Sequence, residues 1–486
     1  MTRLVPRWLA AVAALTLVGC EETGDLTGPA LESFYFPSGL EHVAVPGKTD
    51  GVLLVTNANA DKRYGAGSVV AVDLDAVGLP PLGGDAAVAE ISDLKLTETQ
   101  RVVIHNFASS LHVRALAAGQ RWRGYVPTRS EGNNIVQFDL TMDGTSPVLS
   151  CVGADGRSCI DTGISTTPPE LELSTTGIPR APQPYSVASK PRACTTDESC
   201  CSAGETDCGR TCMSNQCVGF DGLPFADLWV THIDEADSPT QSRANKRSYL
   251  VHLASDSFTI NQQNFVPIGS GASNAAVPLG KWVFLSGRIV APAPNLLRMV
   301  SEDGSLVVSS GLERSFRVSD SRGMVASSNG QRLFMVGRVP DSLLVTNVYN
   351  ADTPSPSVSF VRAVPMIDAA TEVRAIPRVD QGDLVVVSGA SITTGSVALY
   401  DDELGDLATV ISGVGVQPSA LAVDHRGTAA RIYVGNFGDG RVAVIDVPDL
   451  SRPQSARLVA FLGDQQVCLV RGVNSPACQA LQGMQP

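Results

Sequence analysis

A unit of short strands recurs along this chain, and the repeat constrains the fold more than any other feature. Near the C-terminus the unit has four strands, at residues 418–424, 431–436, 441–446 and 456–462. Each strand is rich in β-branched residues, and Gly and Asp lie in the turns between them, as in antiparallel hairpins. The same order begins near the N-terminus, at residues 37–40, 52–57 and 67–73.

Five weaker copies lie between these two, at residues 122–139, 228–253, 281–300, 332–348 and 383–401. Seven copies predict an all-β protein, a β-propeller of seven four-stranded blades that pack face to face around an axis. Residues 343–347 fit either the second or the third strand of their copy, so six or eight blades are also compatible. Two β-sandwiches would use similar strands, but the fixed strand order and the Val-Asp end of the third strand favour the propeller.

The best copies carry a family resemblance. Residues 433–436 (Tyr-Val-Gly-Asn) with 444–446 (Val-Ile-Asp) resemble the YVTN family of β-propeller repeats, and residues 54–57 with 72–73 are a second match. The resemblance extends over about residues 33–463. It implies a propeller, and good copies at both ends predict that the first and last strands share one blade.

The N-terminal residues predict export and a lipid anchor. A positively charged start precedes the apolar run Leu9–Leu17, and Leu17-Val18-Gly19-Cys20 resembles a bacterial lipobox. We expect a signal peptide at residues 1–19 and an acylated N-terminus with a flexible tether at residues 20–32, so that Cys20 holds the protein on a lipid bilayer. An ordinary signal peptide with a chance cysteine is the alternative. Glu21 after the cysteine favours the outer membrane of the bacterial envelope.

The other ten cysteines agree with export, because disulfides form in oxidising compartments. Their spacing lacks the paired Cys-x-x-Cys and the His of a zinc site, and Cys-x-x-Cys-His, the attachment motif of c-type haem, does not occur. We therefore predict disulfides and no metal. Six cysteines form a small disulfide-rich insertion at residues 194–217, in the third blade, and residues 464–486 form a C-terminal disulfide loop and tail. The candidates are Cys151, Cys159, Cys194, Cys200, Cys201, Cys208, Cys212, Cys217, Cys468 and Cys478, with Cys151–Cys159 and Cys468–Cys478 as expected local pairs.

Charge excludes one class of partner. The chain has a net charge of -13, and without residues 1–19 it keeps 34 basic against 49 acidic residues. We do not expect a chain this acidic to bind nucleic acid non-specifically through a basic surface.

Residues that could carry chemistry are scattered. The six histidines lie in different units, which favours separate hydrogen-bonded positions, although distant blades can converge on a propeller axis. Two Asn/Asp-rich runs (57–61 and 350–352) fit turns better than calcium loops, and the acidic run 401–406 fits a solvated loop. Trp122 lies among Arg121, Arg123 and Arg129 and fits a blade cap better than a glycan or anion site.

Two function classes follow. No Gly-x-Ser-x-Gly elbow, Walker loop or His-Glu-x-x-His occurs, so no catalytic residue and no cofactor is predicted. The favoured function is an envelope lipoprotein whose propeller is a non-catalytic scaffold, with a protein or envelope ligand on one face. The alternative is a propeller enzyme, a lactonase-like hydrolase or a quinoprotein-like dehydrogenase, with acids, His or Arg on the axis.

Overall fold

The computed structural model describes residues 28–466, except for residues 32, 86, 118, 130–133, 154–155, 167–182, 202–209, 219–222, 233–247, 254–262, 270–271, 289–295, 313–317 and 319. The predicted signal peptide (1–19), residues 20–27 of the predicted tether and residues 467–486 of the predicted C-terminal loop and tail (464–486) lie outside the described residues, and with them Cys20, Cys468 and Cys478.

Within these residues the strands form seven four-stranded antiparallel blades, which confirms the predicted fold class. Blade 1 contains β1 (Pro37–Val43), β2 (Val52–Asn57) and β3 (Gly67–Asp73); β4 (Ala89–Ile91) leaves the blade, and β5 (Arg101–Ile104) completes it. Blade 2 contains β6 (His112–Ala117), β7 (Arg121–Thr128), β8 (Asn134–Asp143) and β9 (Ser146–Cys151), and β10 (Ile164–Ser165) pairs with β8. Blade 3 begins with β11 (Pro184–Pro191). The hairpin of β12 (Thr211–Met213) and β13 (Gln216–Val218) follows, and then β14 (Ala226–His232), β15 (Ser248–Leu253) and β16 (Gln263–Gly269).

The other four blades have no described strand inserted into them. Blade 4 contains β17 (Ala272–Leu279), β18 (Trp282–Arg288), β19 (Leu297–Ser301) and β20 (Val307–Ser309). Blade 5 contains β21 (Asp320–Ala326), β22 (Arg332–Arg338), β23 (Ser342–Tyr349) and β24 (Ser357–Pro365). Blade 6 contains β25 (Ala370–Arg378), β26 (Gln381–Gly389), β27 (Ser396–Asp401) and β28 (Asp406–Ser412). Blade 7 contains β29 (Pro418–Arg426), β30 (Ala429–Asn436), β31 (Arg441–Val447) and β32 (Arg457–Leu462).

Helical structure is sparse in the described chain. It comprises α1 (Leu74–Val77) and single 3-10 turns at Glu98–Gln100, Ile160–Thr162, Asp197–Cys200 and Pro453–Ser455. No described helix is long and apolar enough to span a bilayer.

The cores lie between blades, which explains why the second strands are apolar on both faces. In β2, Leu54 packs in the cluster that contains Trp122 and Phe138 of blade 2. Leu53, on the opposite face, packs in the cluster that contains Tyr433 of blade 7. Successive side chains of a strand point to opposite faces, so one strand supplies two inter-blade cores.

The first strands of the blades line the axis. β1, β6, β11, β17, β21, β25 and β29 each begin a blade, and each contacts the first strands of the neighbouring blades around a closed ring. Residues of these seven strands that point away from the inter-blade cores therefore meet in the axial channel.

The two ends of the chain do not share a blade. The expectation that the first and last strands lie in one blade is therefore wrong. Blades 1 and 7 each contain four strands of their own, and β4, from the β3–β5 connection of blade 1, pairs in parallel with β32 at the outer edge of blade 7. The β3–β5 connection thus forms a strap from blade 1 to blade 7. Two contacts of blade 7 arginines hold it: Arg431 Nη2 donates to Pro80 O at 2.7 Å, and Arg457 pairs with Asp85 at 2.6 Å.

Candidate functional site

The insertion in blade 3, residues 194–217, lies between β11 and β14 and is cross-linked by disulfides. It is called the knot below. Disulfides join Cys194 to Cys212 and Cys200 to Cys217, and Cys201 is also disulfide-bonded. Cys208 lies outside the described residues. A further disulfide closes the predicted Cys151–Cys159 loop of blade 2.

Three cysteine sulfurs of the knot, those of Cys194, Cys200 and Cys217, lie within 4.8 Å of one another. Each is already in a disulfide, so none is a thiolate that could bind zinc. In the described chain this is the only close group of metal-ligand types. The knot also has a small core of its own, formed by these cysteines and Phe225.

The knot is tied to the disc at its base. Cys217 N donates to Arg192 O at 3.0 Å, and the Arg192 guanidinium pairs with Asp227 at 2.5 Å while lying over the Phe225 ring. Arg114 of blade 2 donates to Pro224 O at 2.8 Å. The knot is therefore fixed against blades 2 and 3 and does not project as a free loop.

A groove of about 870 Å³ separates the knot from the disc. Its walls are the end of β11, the knot residues Ser199 and Cys201, the start of β14, and turns of blades 4 and 5. These are the ends of neighbouring strands on one face of the disc, so the groove crosses three blades.

Charged side chains line this groove in pairs. Lys190 Nζ lies 2.8 Å from Glu302 Oε1 and donates to Gly280 O, which links blade 3 to blade 4. Arg192 pairs with Asp227, and His252 Nε2 lies 3.5 Å from the same carboxylate. Lys281 on the opposite wall is exposed, and no ion pair to it occurs among the described residues. The groove thus combines fixed charge pairs with one exposed cation.

A second cluster lies on the axis. Glu41 of β1 is 3.9 Å from Arg374 of β25, and Arg374 Nη1 donates to Glu372 Oε1 at 2.6 Å. Because blade 7 separates blades 1 and 6, the Glu41–Arg374 contact crosses the channel. His112 of β6 lies within electrostatic reach of Arg374 and Arg114.

Burial shifts the protonation of two of these groups. Desolvation raises the pKa of Glu41 to about 7, although Arg374 opposes the shift. Desolvation, with Arg374 and Arg114 close by, lowers the pKa of His112 to about 4. Near neutral pH the imidazole is therefore uncharged, and Glu41 is the group that titrates.

The histidines do not form a common site. Two have aromatic and acidic neighbours: His42 stacks on Tyr433 near Asp424, and His252 stacks on Trp229. The other contacts join ring nitrogens to single oxygens: His105 to Ile160 O, His112 to Ser189 Oγ, His232 to Tyr249 O and His425 to Gly427 O.

The Trp122 cluster is structural. Trp122 is buried between blades 1 and 2, and both Arg121 and Arg123 pair with Asp139, at 2.6 and 2.8 Å. Arg129 Nε donates to Phe107 O at 3.3 Å. Asp139 thus holds both Arg121 and Arg123 against blade 2, which agrees with the expected blade cap.

The Asn/Asp runs also have structural partners. Asn57 accepts from Tyr35 N and donates to Ser68 Oγ, and Asn350 has a positive φ of 57° in a turn. The expectation of a solvated loop at residues 401–406 is wrong for its first two residues. Asp401 pairs with Arg378 and Asp402 with Arg332, each at 2.6 Å and buried against blades 5 and 6.

Glu41, Glu372, Arg374 and the groove pair Lys190–Glu302 have no motif in the sequence. They lie in four different repeats, and only Glu372 and Arg374 share a strand, β25. The signal that could have identified the axial residues is their position in the repeat. Glu41, Glu372 and Arg374 all lie in the first strand of a unit. A charged residue in an innermost strand is a candidate for the axis.

No protein-family model matches the chain, and no curated protein matches it. Solved structures align over most of it at low similarity. Hydrazine synthase from Kuenenia stuttgartiensis is 11% identical, with 87% of this chain and 98% of that chain covered and a TM-score of 0.44. A proposed 6-phosphogluconolactonase from Bacteroides fragilis is 13% identical, with 79% and 86% covered and a TM-score of 0.40. Apo AztD from Citrobacter koseri is 12% identical, with 82% and 79% covered and a TM-score of 0.37. Because these identities and TM-scores are low, the fold assignment rests on the strand order of this chain and not on these solved structures.

Proposed function

We propose that this protein is a lipid-anchored protein of the bacterial cell envelope whose propeller is a non-catalytic binding scaffold, and that its protein or envelope ligand lies in the groove beside the disulfide knot. The observation that carries the proposal is the groove itself. It is large, it crosses three blades, and one wall is a segment that the repeat does not need.

The groove is built for binding more than for chemistry. Its disulfides and the contacts of Arg192 and Arg114 fix the wall in advance, which lowers the entropy lost when a ligand binds. In each of its two ion pairs, Lys190–Glu302 and Arg192–Asp227, the charges are already balanced. Groups held in this way orient a ligand without transferring protons. Leu306 adds exposed apolar surface.

Site-directed photocrosslinking tests the groove in isolated envelopes. A photoreactive residue at Leu306, which is 47% exposed in the groove, should give an adduct of discrete mass. The control position is Val379, which is more exposed but lies outside the groove. Lys281→Glu reverses a groove charge without breaking an ion pair among the described residues, and it should remove the adduct. Equal adducts at Leu306 and Val379, or none at Leu306, would contradict the proposed site.

The anchor is tested separately. Acylated Cys20 should bring the mature protein into the detergent phase, because several acyl chains hold a protein on a membrane more firmly than one. Cys20→Ser should release the protein or leave its precursor unprocessed, as seen in phase partitioning and intact mass. Unchanged membrane association in Cys20→Ser would rule out the lipid anchor.

A propeller enzyme with an axial site is the second candidate, and one contact favours it. His112 Nε2 lies 2.6 Å from Ser189 Oγ, a distance at which an uncharged imidazole can activate a hydroxyl. Among the described residues no hydrogen bond orients the other ring nitrogen of His112, as the third member of a triad would. The scaffold therefore remains the better supported function.

A further inference from the structure

The two faces of the disc carry different features. In every blade the first strand runs from one face to the other. The face where the first strands end is called the knot face, because the knot lies there, together with Lys190 near the end of β11 and Trp282 at the start of β18. The opposite face, where the first strands begin, is called the tether face. The groove of the proposed function therefore opens on the knot face.

The chain enters the disc from the tether face. Tyr35 N donates to Oδ1 of Asn57, the last residue of β2. A Cβ added to Gly28 would lie 3.4 Å from the carbonyl oxygen of Gly67, the first residue of β3. Second strands end, and third strands begin, on the face where first strands begin. The first described residues, 28–36, therefore lie on the tether face.

The segment between Cys20 and the disc is too short to reach the knot face. Eight peptide units join Cys20 to Gly28, and they span at most about 26–29 Å when fully extended. The strand β30 alone has eight residues, which span about 25 Å between the two faces. The turns on both faces add to this height. With Cys20 at a bilayer surface, the knot face therefore cannot lie flat on that bilayer.

Exposed aliphatic side chains occur at turns on both faces. Val339 and Ile392, in turns of blades 5 and 6, are 73 and 48% exposed on the tether face. Val379 and Leu404, in turns of blade 6, are 77 and 73% exposed on the knot face. Apolar exposure thus does not distinguish the faces, and the position of the tether decides which side chains meet a bilayer. Contact with a bilayer becomes stronger with the apolar area that enters its interface.

We propose that the tether face is the membrane-facing surface of the protein, on which Val339 and Ile392 contact the lipid headgroup region, and that the groove beside the knot faces away from that bilayer. This inference rests on the lipid anchor at Cys20 in the proposed function. It also restricts the ligand of the groove, because a lipid of the anchoring bilayer does not reach the knot face.

Fluorescence on vesicles tests the orientation, with a chemical anchor in place of acylation. The chain from Cys20 onward is coupled through the Cys20 thiol to phosphatidylcholine vesicles that contain a lipid with a maleimide headgroup. An environment-sensitive fluorescent amino acid replaces Ile392 or, as the matched control, Val379; these positions lie in the turns at either end of β26. Coupling should shift the emission of the Ile392 label to the blue and make it quenchable by brominated lipid. The Val379 label should not change.

Two controls make the result specific. Val339 and Leu404 form a second pair of label positions, which should respond as Ile392 and Val379 do. Cys20→Ser should leave the protein free of the vesicles, which shows that coupling occurs at Cys20.

Equal responses at Ile392 and Val379, or a larger response at Val379, would overturn the proposed orientation. The chemical anchor separates this outcome from failure of the lipid anchor itself. If the Cys20→Ser protein stays on the membrane in the phase-partitioning test while Ile392 responds on the vesicles, the anchor is refuted and the orientation of the tethered disc is supported.

Discussion

At the residue scale, the aspartate that ends the third strand of a repeat is an ion-pair partner. Asp446 of β31 pairs with Arg431 of β30 at 2.7 Å, and both side chains are completely buried. Aspartates of three other third strands are also paired, in Lys48–Asp73, Arg123–Asp139 and Arg378–Asp401, although the cation comes from the loop before β2, from the second strand β7 and from the first strand β25 respectively. The aspartate of the Val-Asp pattern, which recurs at the end of third strands in the sequence, therefore has a physical role: its carboxylate is paired with a cation.

Removing one partner of the buried pair should be costly. Asp446→Ala leaves the Arg431 guanidinium buried with its main counter-ion gone, so we expect a loss of about 3–5 kcal/mol in the free energy of unfolding. Urea unfolding monitored by circular dichroism measures it. The control is Asp449→Ala, which removes a solvent-screened surface pair with Arg452 and should cost much less. A similar small loss in both variants would show that the buried pair is not important for stability.

At the element scale, the sequence predicted, in the five weaker copies, the strands that are buried on both faces and missed the first and fourth strands. The five weaker copies correspond to second and third strands, for example β7–β8 and β26–β27. Residues 343–347 lie in β23, the third strand of blade 5, which settles the count at seven. Outer strands such as β24 and β28 are largely half-exposed, so their composition is less apolar and their signal weaker.

The candidate sites were less predictable than the strands. The disulfide-rich insertion was evident because six cysteines lie together in the sequence. The axial cluster was not, because Glu41 and Arg374 are separated by most of the chain and meet only when the ring closes. The strap formed by β4 was also missed, since three residues with mixed polarity, Ala89–Ile91, carry no strand pattern of their own.

At the scale of the whole molecule, closure of the ring depends on contacts between its two ends. Phe34 and Leu53 pack in one core with Tyr433 and Leu462. β32 contributes to the cores on both sides of blade 7 and pairs with both β31 and β4. The knot of residues 194–217 is different, because its cysteines pack mainly with one another and Phe225.

These contacts predict opposite outcomes for two deletions. Ending the chain at Asp449 removes β32, which exposes the edges of β31 and β4 and opens the cores between blades 1, 6 and 7. We expect the truncated chain to aggregate or to lose cooperative unfolding, because unpaired strand edges and separated blades cannot hide their apolar faces. Replacing residues 194–217 by a short Gly-Ser linker should leave a monomer that unfolds cooperatively, since the blades keep all their strands. Size-exclusion chromatography and thermal unfolding compare the two. A stable monomer from the truncation together with an unfolded linker variant would mean that the knot, and not the seam between blades 1 and 7, holds the ring together.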